Sequence, residues 1–155
     1  MVDDKQAGGL RKSPLIQLTD QEIEHIKNEI KAIEADISIF SFQSGTGTGY
    51  NDVLDKIKIT GNVFPDLNST HPRDLMSERA VIAHEYYGHR TFRGTPLRNG
   101  SWNDEFRASY IAAKTAPNLS EDDRRYLVMD AQERAREAGI SIKLNDFMRR
   151  VLYGY

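Results

Sequence analysis

The residues most able to do chemistry lie in one string, His84-Glu85-Tyr86-Tyr87-Gly88-His89, which holds two of the chain's four histidines. In an H-E-x-x-H helix the two histidines share a face and chelate one zinc ion. The glutamate then acts on the water bound there. Here the second histidine follows five residues after the first. On a regular helix that turns the second imidazole about 140° from the first, at about 100° per residue. Both rings meet one ion only if the helix carries an extra residue. A π-type bulge supplies it, and such bulges favour functional sites. Gly88 lies inside the interval and eases the distortion, at about 1 kcal/mol of helix propensity. The spacing therefore predicts a metal site together with a specific irregularity. The plain alternative is two ordinary helix histidines with no ligand role.

A catalytic zinc commonly takes three protein ligands and leaves one position for water. The chain has no cysteine, so disulfides, thiolate zinc sites, iron–sulfur clusters and cysteine nucleophiles are excluded together. The third ligand must come from a carboxylate or another histidine. Asp104-Glu105 follows across a glycine-containing loop that allows an antiparallel return. On a helix over 102–114, Glu105, Ala108, Ser109 and Ala112 share a face, and the small residues there let it approach the histidine helix closely. Glu105 is the expected third ligand. Asp104 fits better as an acceptor for a ligand imidazole N–H.

These residues need elements to hold them. Thr19-Asp20-Gln21-Glu22 has the form of a capping box, and Ile23, Ile26, Ile30, Ile33 and Ile37 follow at helical spacing. This predicts an amphipathic helix over 20–36. Residues 37–42 alternate as a short strand, Gly45 to Gly49 read as a plain loop, and residues 56–64 alternate again. Pro65 suggests that this last strand lies at an edge. A helix over 73–88 carries the histidine string, and residues 91–101 form a loop. Further helices are expected over 102–114 and 121–138, with a short one from an Asn145 cap to about Tyr153. Residues 1–13 read as a mobile lead-in to one α+β domain over 14–155, a small sheet beside a largely helical body.

Composition narrows the function further. The 155 residues include 28% charged side chains and net −2, and neither half is polybasic. Bulk electrostatics give no case for nucleic acid or anionic lipid. No apolar run is long enough for a membrane span. The acidic start, Met1-Val2-Asp3-Asp4, shows no signal peptide, so a cytoplasmic location, or delivery within a larger effector, is expected.

The string His84 to His89 is similar to the H-E-L-L-G-H motif of the dipeptidyl-peptidase III family of zinc peptidases. Asp104-Glu105-Phe106-Arg107-Ala108 resembles that family's second motif, E-E-x-R-A-E, whose second acidic residue binds zinc. Carried over by position, the resemblance implies His84, His89 and Glu105 as zinc ligands and Glu85 as general base. Ser109 stands where the motif ends in glutamate, and the gap between motifs is much shorter. The chain is also too small for that family's two lobes, so dipeptide release is not implied. The segment from about 71 onward, with Trp102 to Tyr110, also looks like compact zincin-type metallopeptidase domains at the ends of bacterial polymorphic toxins. That resemblance implies an effector module with an immunity or carrier partner.

The expected activity is hydrolysis of a peptide bond in a protein or peptide substrate. Glu85 takes the proton of the attacking water and passes it to the leaving amine. Tyr110, Arg107, Tyr87 and His71 are the candidates to stabilise the oxyanion, and the strand at 56–64 is placed to align a peptide by β-addition. The rival expectations are a metal-containing binding module with a structural or degenerate site, and a metal-dependent nuclease or phosphoesterase. Among the remaining residues, Tyr86 and Tyr87 read as core and His71 as a turn residue. His25 reads as surface, and so do the loop residues Arg90, Arg93 and Arg98. Arg124, Arg125, Arg134 and Arg136 read as exposed pairing along a helix.

Overall fold

The computed structural model describes residues 17–44 and 47–155, so the lead-in expected over 1–13 lies outside the described residues. Helix α1 (Asp20–Ala32) begins on the expected capping box: the Thr19 hydroxyl accepts from the Glu22 N–H, and the Glu22 carboxylate accepts from the Thr19 N–H. Ile26, Ile30 and Ile33 are fully buried, as the spacing requires. The helix stops short of residue 36 because Glu34 turns to a positive φ of 58°. Asp36 then caps a 3-10 turn at Ile37–Ile39 by accepting from the Ser38 N–H. The expected strand over 37–42 is thereby reduced to β1 (Phe40–Phe42).

The sheet has three strands in the order β1-β3-β2, with β2 at Gly49–Asn51 and β3 at Lys56–Ile59. β3 pairs parallel with β1 and antiparallel with β2. Two expectations are corrected here. The glycine-rich run is not all loop, because Gly49 opens β2. The strand expected over 56–64 ends at Ile59 and lies in the centre of the sheet, not at an edge. It stops because the chain turns into a 3-10 segment at Gly61–Val63. Buried polar groups hold that turn. Asn62 Oδ1 accepts from the Thr48 N–H at 2.8 Å and from the Thr60 hydroxyl at 2.9 Å. Pro65 therefore follows a strand that already ended. A central strand has no open side, so peptide alignment by addition to residues 56–64 is excluded.

The helix expected over 73–88 is two helices with a different continuation. α2 (Pro72–Leu75) ends before Met76, and α3 (Glu78–Ala83) restarts on Ser77, whose hydroxyl accepts from the Ala80 N–H. The same hydroxyl donates to Asp123 Oδ1, at 2.6 Å. The chain then runs through a π-helical stretch, His84–His89, and a 3-10 turn, Arg90–Phe92.

The remaining helices match expectation closely: α4 (Trp102–Thr115), α5 (Glu121–Glu137) and α6 (Asp146–Tyr153). Ser101, Ser120 and Asn145 cap them, and Gly139 and Gly154 follow α5 and α6 at positive φ. The core joins α1, the inner face of β3 (Ile57, Ile59), Ala80 to Ala83 of α3, and Ala112, Ala113, Leu127 and Val128 of α4 and α5. Together this is a single α+β body. No described helix is long and apolar enough to cross a membrane.

Candidate metal centre

The π stretch is the irregularity that the histidine spacing demands. One extra residue in the turn brings the His84 and His89 rings to 4.7 Å between centroids, nearly perpendicular. α4 crosses this turn at very short range. A Cβ on Gly88 would lie 2.5 Å from the Ala108 carbonyl oxygen, so only glycine permits the approach. Glu105, one turn before Ala108, then faces both rings. Its Oε1 lies 3.0 Å from His84 Nε2 and 3.2 Å from His89 Nε2.

These distances fit a metal ion. Ligands placed tetrahedrally about 2.0–2.1 Å from an ion sit about 3.3 Å from one another. His84, His89 and Glu105 are at most 2% exposed. They form a buried group able to hold a metal ion.

Glu85 is fully buried beside this group. Neither of its carboxyl oxygens has a hydrogen-bond partner among the described residues. Burial pushes its pKa well above the usual carboxylate range, although the charge on His89 and the nearby Tyr50 backbone N–H of β2 oppose the shift. A buried carboxyl with no partner is costly, and it marks a place where a further group is expected.

The two histidines differ. Burial holds the His84 pKa below its ordinary value. Burial also opposes the charge on His89, but the carboxylates of Glu105 and Asp104 outweigh it and raise that ring to about 10. His89 Nδ1 faces Asp104 Oδ2 at 3.6 Å, longer than a hydrogen bond, so Asp104 stands in the acceptor position expected of it without closing the contact. Asp104 also accepts from the Gly100 N–H at 3.0 Å.

A further layer comes from α5. His84 Nδ1 lies 2.7 Å from Ser109 Oγ, and that hydroxyl donates to Asp130 Oδ2 at 2.6 Å. Arg134 donates to Asp130 Oδ1 at 3.1 Å, and its Nη2 lies 3.5 Å from Glu105 Oε1. Arg134 is therefore not part of an exposed intrahelical pair, as expected from its neighbours. The register of α5 turns it inward while Arg136 pairs with Glu133 at the surface. Asp130 and Arg134 were missed as site residues. The available signal was their place among Leu127, Ala131 and Ala135, all fully buried on one face of α5.

The expected oxyanion donors are engaged elsewhere. The Tyr110 hydroxyl accepts from Asn145 Nδ2 at 2.8 Å, between α4 and the α6 cap, with its ring against Phe106 and Phe147. Arg107 lies over the Phe92 ring and donates to Thr95 Oγ1, with Asp104 Oδ1 at 3.6 Å. The Tyr87 hydroxyl donates to the Ile33 carbonyl at 2.5 Å, and Tyr86 stacks on Phe40, so both tyrosines brace the core. His71 caps α2 through Nδ1 and meets Glu137 through Nε2 at 3.1 Å. His71, Glu133 and Glu137 form a second cluster of metal-ligand type. Its His71 Nδ1 accepts a backbone N–H, so Nε2 carries the proton, and Arg73 already pairs with Glu137. Arg90 is not a solvated loop residue. It pairs through two nitrogens with Asp55 in the turn between β2 and β3 and lies 5.1 Å from the Tyr86 ring centroid.

Compared with family models, curated proteins and solved structures, the chain matches none. Function is therefore inferred from the geometry of the site.

Proposed function

We propose that this chain is a zinc-dependent peptidase, with His84, His89 and Glu105 as ligands and Glu85 as general base. One observation carries this: three ligand atoms at metal-chelating separation, with an unpartnered buried carboxyl on the residue after the first histidine. A zinc ion held by three protein ligands supplies a water of pKa about 7 and polarises a carbonyl.

The rest falls to the chain's own residues. Glu85 accepts the proton of the attacking water and delivers it to the leaving amine. Burial raises its pKa above the ordinary carboxylate value, which makes it a stronger proton acceptor. Arg134 lies 3.5 Å from Glu105 Oε1 and within electrostatic reach of Glu85, so the candidate site holds a buried positive charge beside its carboxylates. Both edge strands of the sheet meet the π stretch: β2 packs against it, and Phe40 of β1 stacks on Tyr86.

The burial of all three candidate ligands favours a second reading, in which the ion is structural and Glu85 is a fourth ligand. Elemental analysis of the wild type and of Glu85→Gln, combined with proteomic cleavage mapping, separates the two. A peptidase keeps one zinc per chain in Glu85→Gln and loses cleavage. A closed structural site loses zinc in the variant and shows no cleavage in either protein. Dependence on magnesium or manganese in place of zinc overturns both in favour of a phosphoesterase.

A further inference from the structure

We infer that Ser109 and Asp130 fix the proton on His84 Nδ1 and so hold its Nε2 lone pair toward the metal position. Both are positioning residues, and the inference rests on the zinc reading proposed above. A neutral imidazole has one N–H and one lone pair, and only the lone pair binds a metal. The ring itself does not choose between its nitrogens, so its neighbours decide.

Ser109 Oγ stands between His84 Nδ1 at 2.7 Å and Asp130 Oδ2 at 2.6 Å. A serine hydroxyl has one proton to give. Asp130 is held by Arg134 Nε at 3.1 Å and faces Arg73 Nε at 3.6 Å, and a carboxylate between two guanidiniums accepts. The Ser109 proton therefore goes to Asp130, and the Ser109 lone pair accepts from His84 Nδ1–H. His84, Ser109 and Asp130 are fully buried, so no bulk water competes for these bonds.

The other end of the ring follows. With the proton on Nδ1, the Nε2 lone pair faces Glu105 Oε1 at 3.0 Å. Two acceptors at that distance repel unless a cation sits between them. The line from Asp130 through Ser109 and His84 thus ends in a position shaped for a positive ion. His89 has no equivalent line, since its Nδ1 meets Asp104 only at 3.6 Å.

The test is zinc titration of the full chain against a chromogenic chelator, for the wild type, Ser109→Ala and Asp130→Asn. It is joined to proton and nitrogen NMR of the zinc-loaded histidines. Asp130→Asn offers an amide donor to Ser109, which reverses the line and puts the proton on Nε2. Each variant is expected to bind zinc about 10–100-fold more weakly. In Ser109→Ala the slowly exchanging, downfield His84 Nδ1–H signal should shift or disappear, while the His89 signal stays in place. Unchanged affinity in Ser109→Ala overturns the inference. So does weakened affinity with the His84 signal unmoved, because that loss would come from packing alone. If Asp130→Asn does not fold, Ser109→Ala, which removes a single oxygen, carries the test. A wild-type chain that takes up no zinc overturns the metal reading itself, and this inference falls with it.

Discussion

Gly88 and Ala108 meet with no room for a side chain between them, since a Cβ on Gly88 would lie 2.5 Å from the Ala108 carbonyl oxygen and 2.6 Å from its Cα. The contact sets the spacing between the histidine turn and the helix that carries Glu105. Gly88→Ala must push those elements apart. The expected cost is about 1–3 kcal/mol of overpacking strain, or a fall of roughly 2–10 °C in Tm. Zinc binding should weaken in the same variant, and calorimetry with a metal titration checks both.

Glu85→Gln keeps the shape of the side chain and removes its capacity to take a proton. Cleavage should fall by about 10²–10⁴-fold, with zinc content unchanged. Turnover measured on peptides identified by cleavage mapping tests this, and a fully active variant sinks the mechanism.

Glu105→Ala removes the oxygen that both histidines face. The variant should retain no stoichiometric zinc after dialysis, and unchanged metal content would reassign the third ligand. Removing zinc from the wild type with a chelator should abolish cleavage and lower stability. The stability difference is about 4 kcal/mol when free zinc stands at a thousand times its Kd, and thermal unfolding with and without chelator measures it.

Two of the four arginines of α5, Arg134 and Arg136, should behave differently. Arg134→Ala leaves Asp130 and Glu105 short of a buried partner, and the expected loss is about 3–5 kcal/mol. Arg136→Ala breaks an exposed pair with Glu133 and should leave the unfolding midpoint in place. Denaturant unfolding of both variants checks the contrast.

Asp55 supplies a pH test away from the metal group. Hydrogen bonds from Arg90 hold its carboxyl below the ordinary value, outweighing its burial. A carboxyl with a depressed folded pKa contributes stability above its unfolded pKa of about 3.9, and that contribution is lost as pH falls through the folded pKa. Asp55→Asn should therefore unfold below the wild type at neutral pH, and the gap should close in acid. Paired melting curves across that range measure it.

The parts of the molecule legible in the sequence are those set by local spacing. The Thr19–Glu22 capping box and the Asn145 cap of α6 each involve residues three apart, and both form as expected. The π stretch is also legible, because two ligands five positions apart on a helix admit few other solutions. What failed depends on neighbours distant in the chain. β2 hides in a glycine-rich run because its pairing with β3 defines it, not its composition. β3 takes the centre because it returns between β1 and β2, a matter of strand order that no local pattern records. Ser109 and Asp130 lie 21 residues apart, and Tyr110 was drawn to Asn145 across 35. Their roles are decided by how α4, α5 and α6 stack.

The extra residue in the His84–His89 turn acts on the helix as a frame shift acts on a message. Every side chain beyond it is read about 100° out of phase with the helix before it. Arg90 is the first residue in the new frame, and it falls on Asp55 of the hairpin. The one insertion thus serves two addresses, setting the imidazoles on one side and docking the sheet on the other. Deleting one residue from the turn would restore the ordinary phase: the histidines, then four apart on a regular helix, would still share a face, but the Arg90–Asp55 contact would be lost.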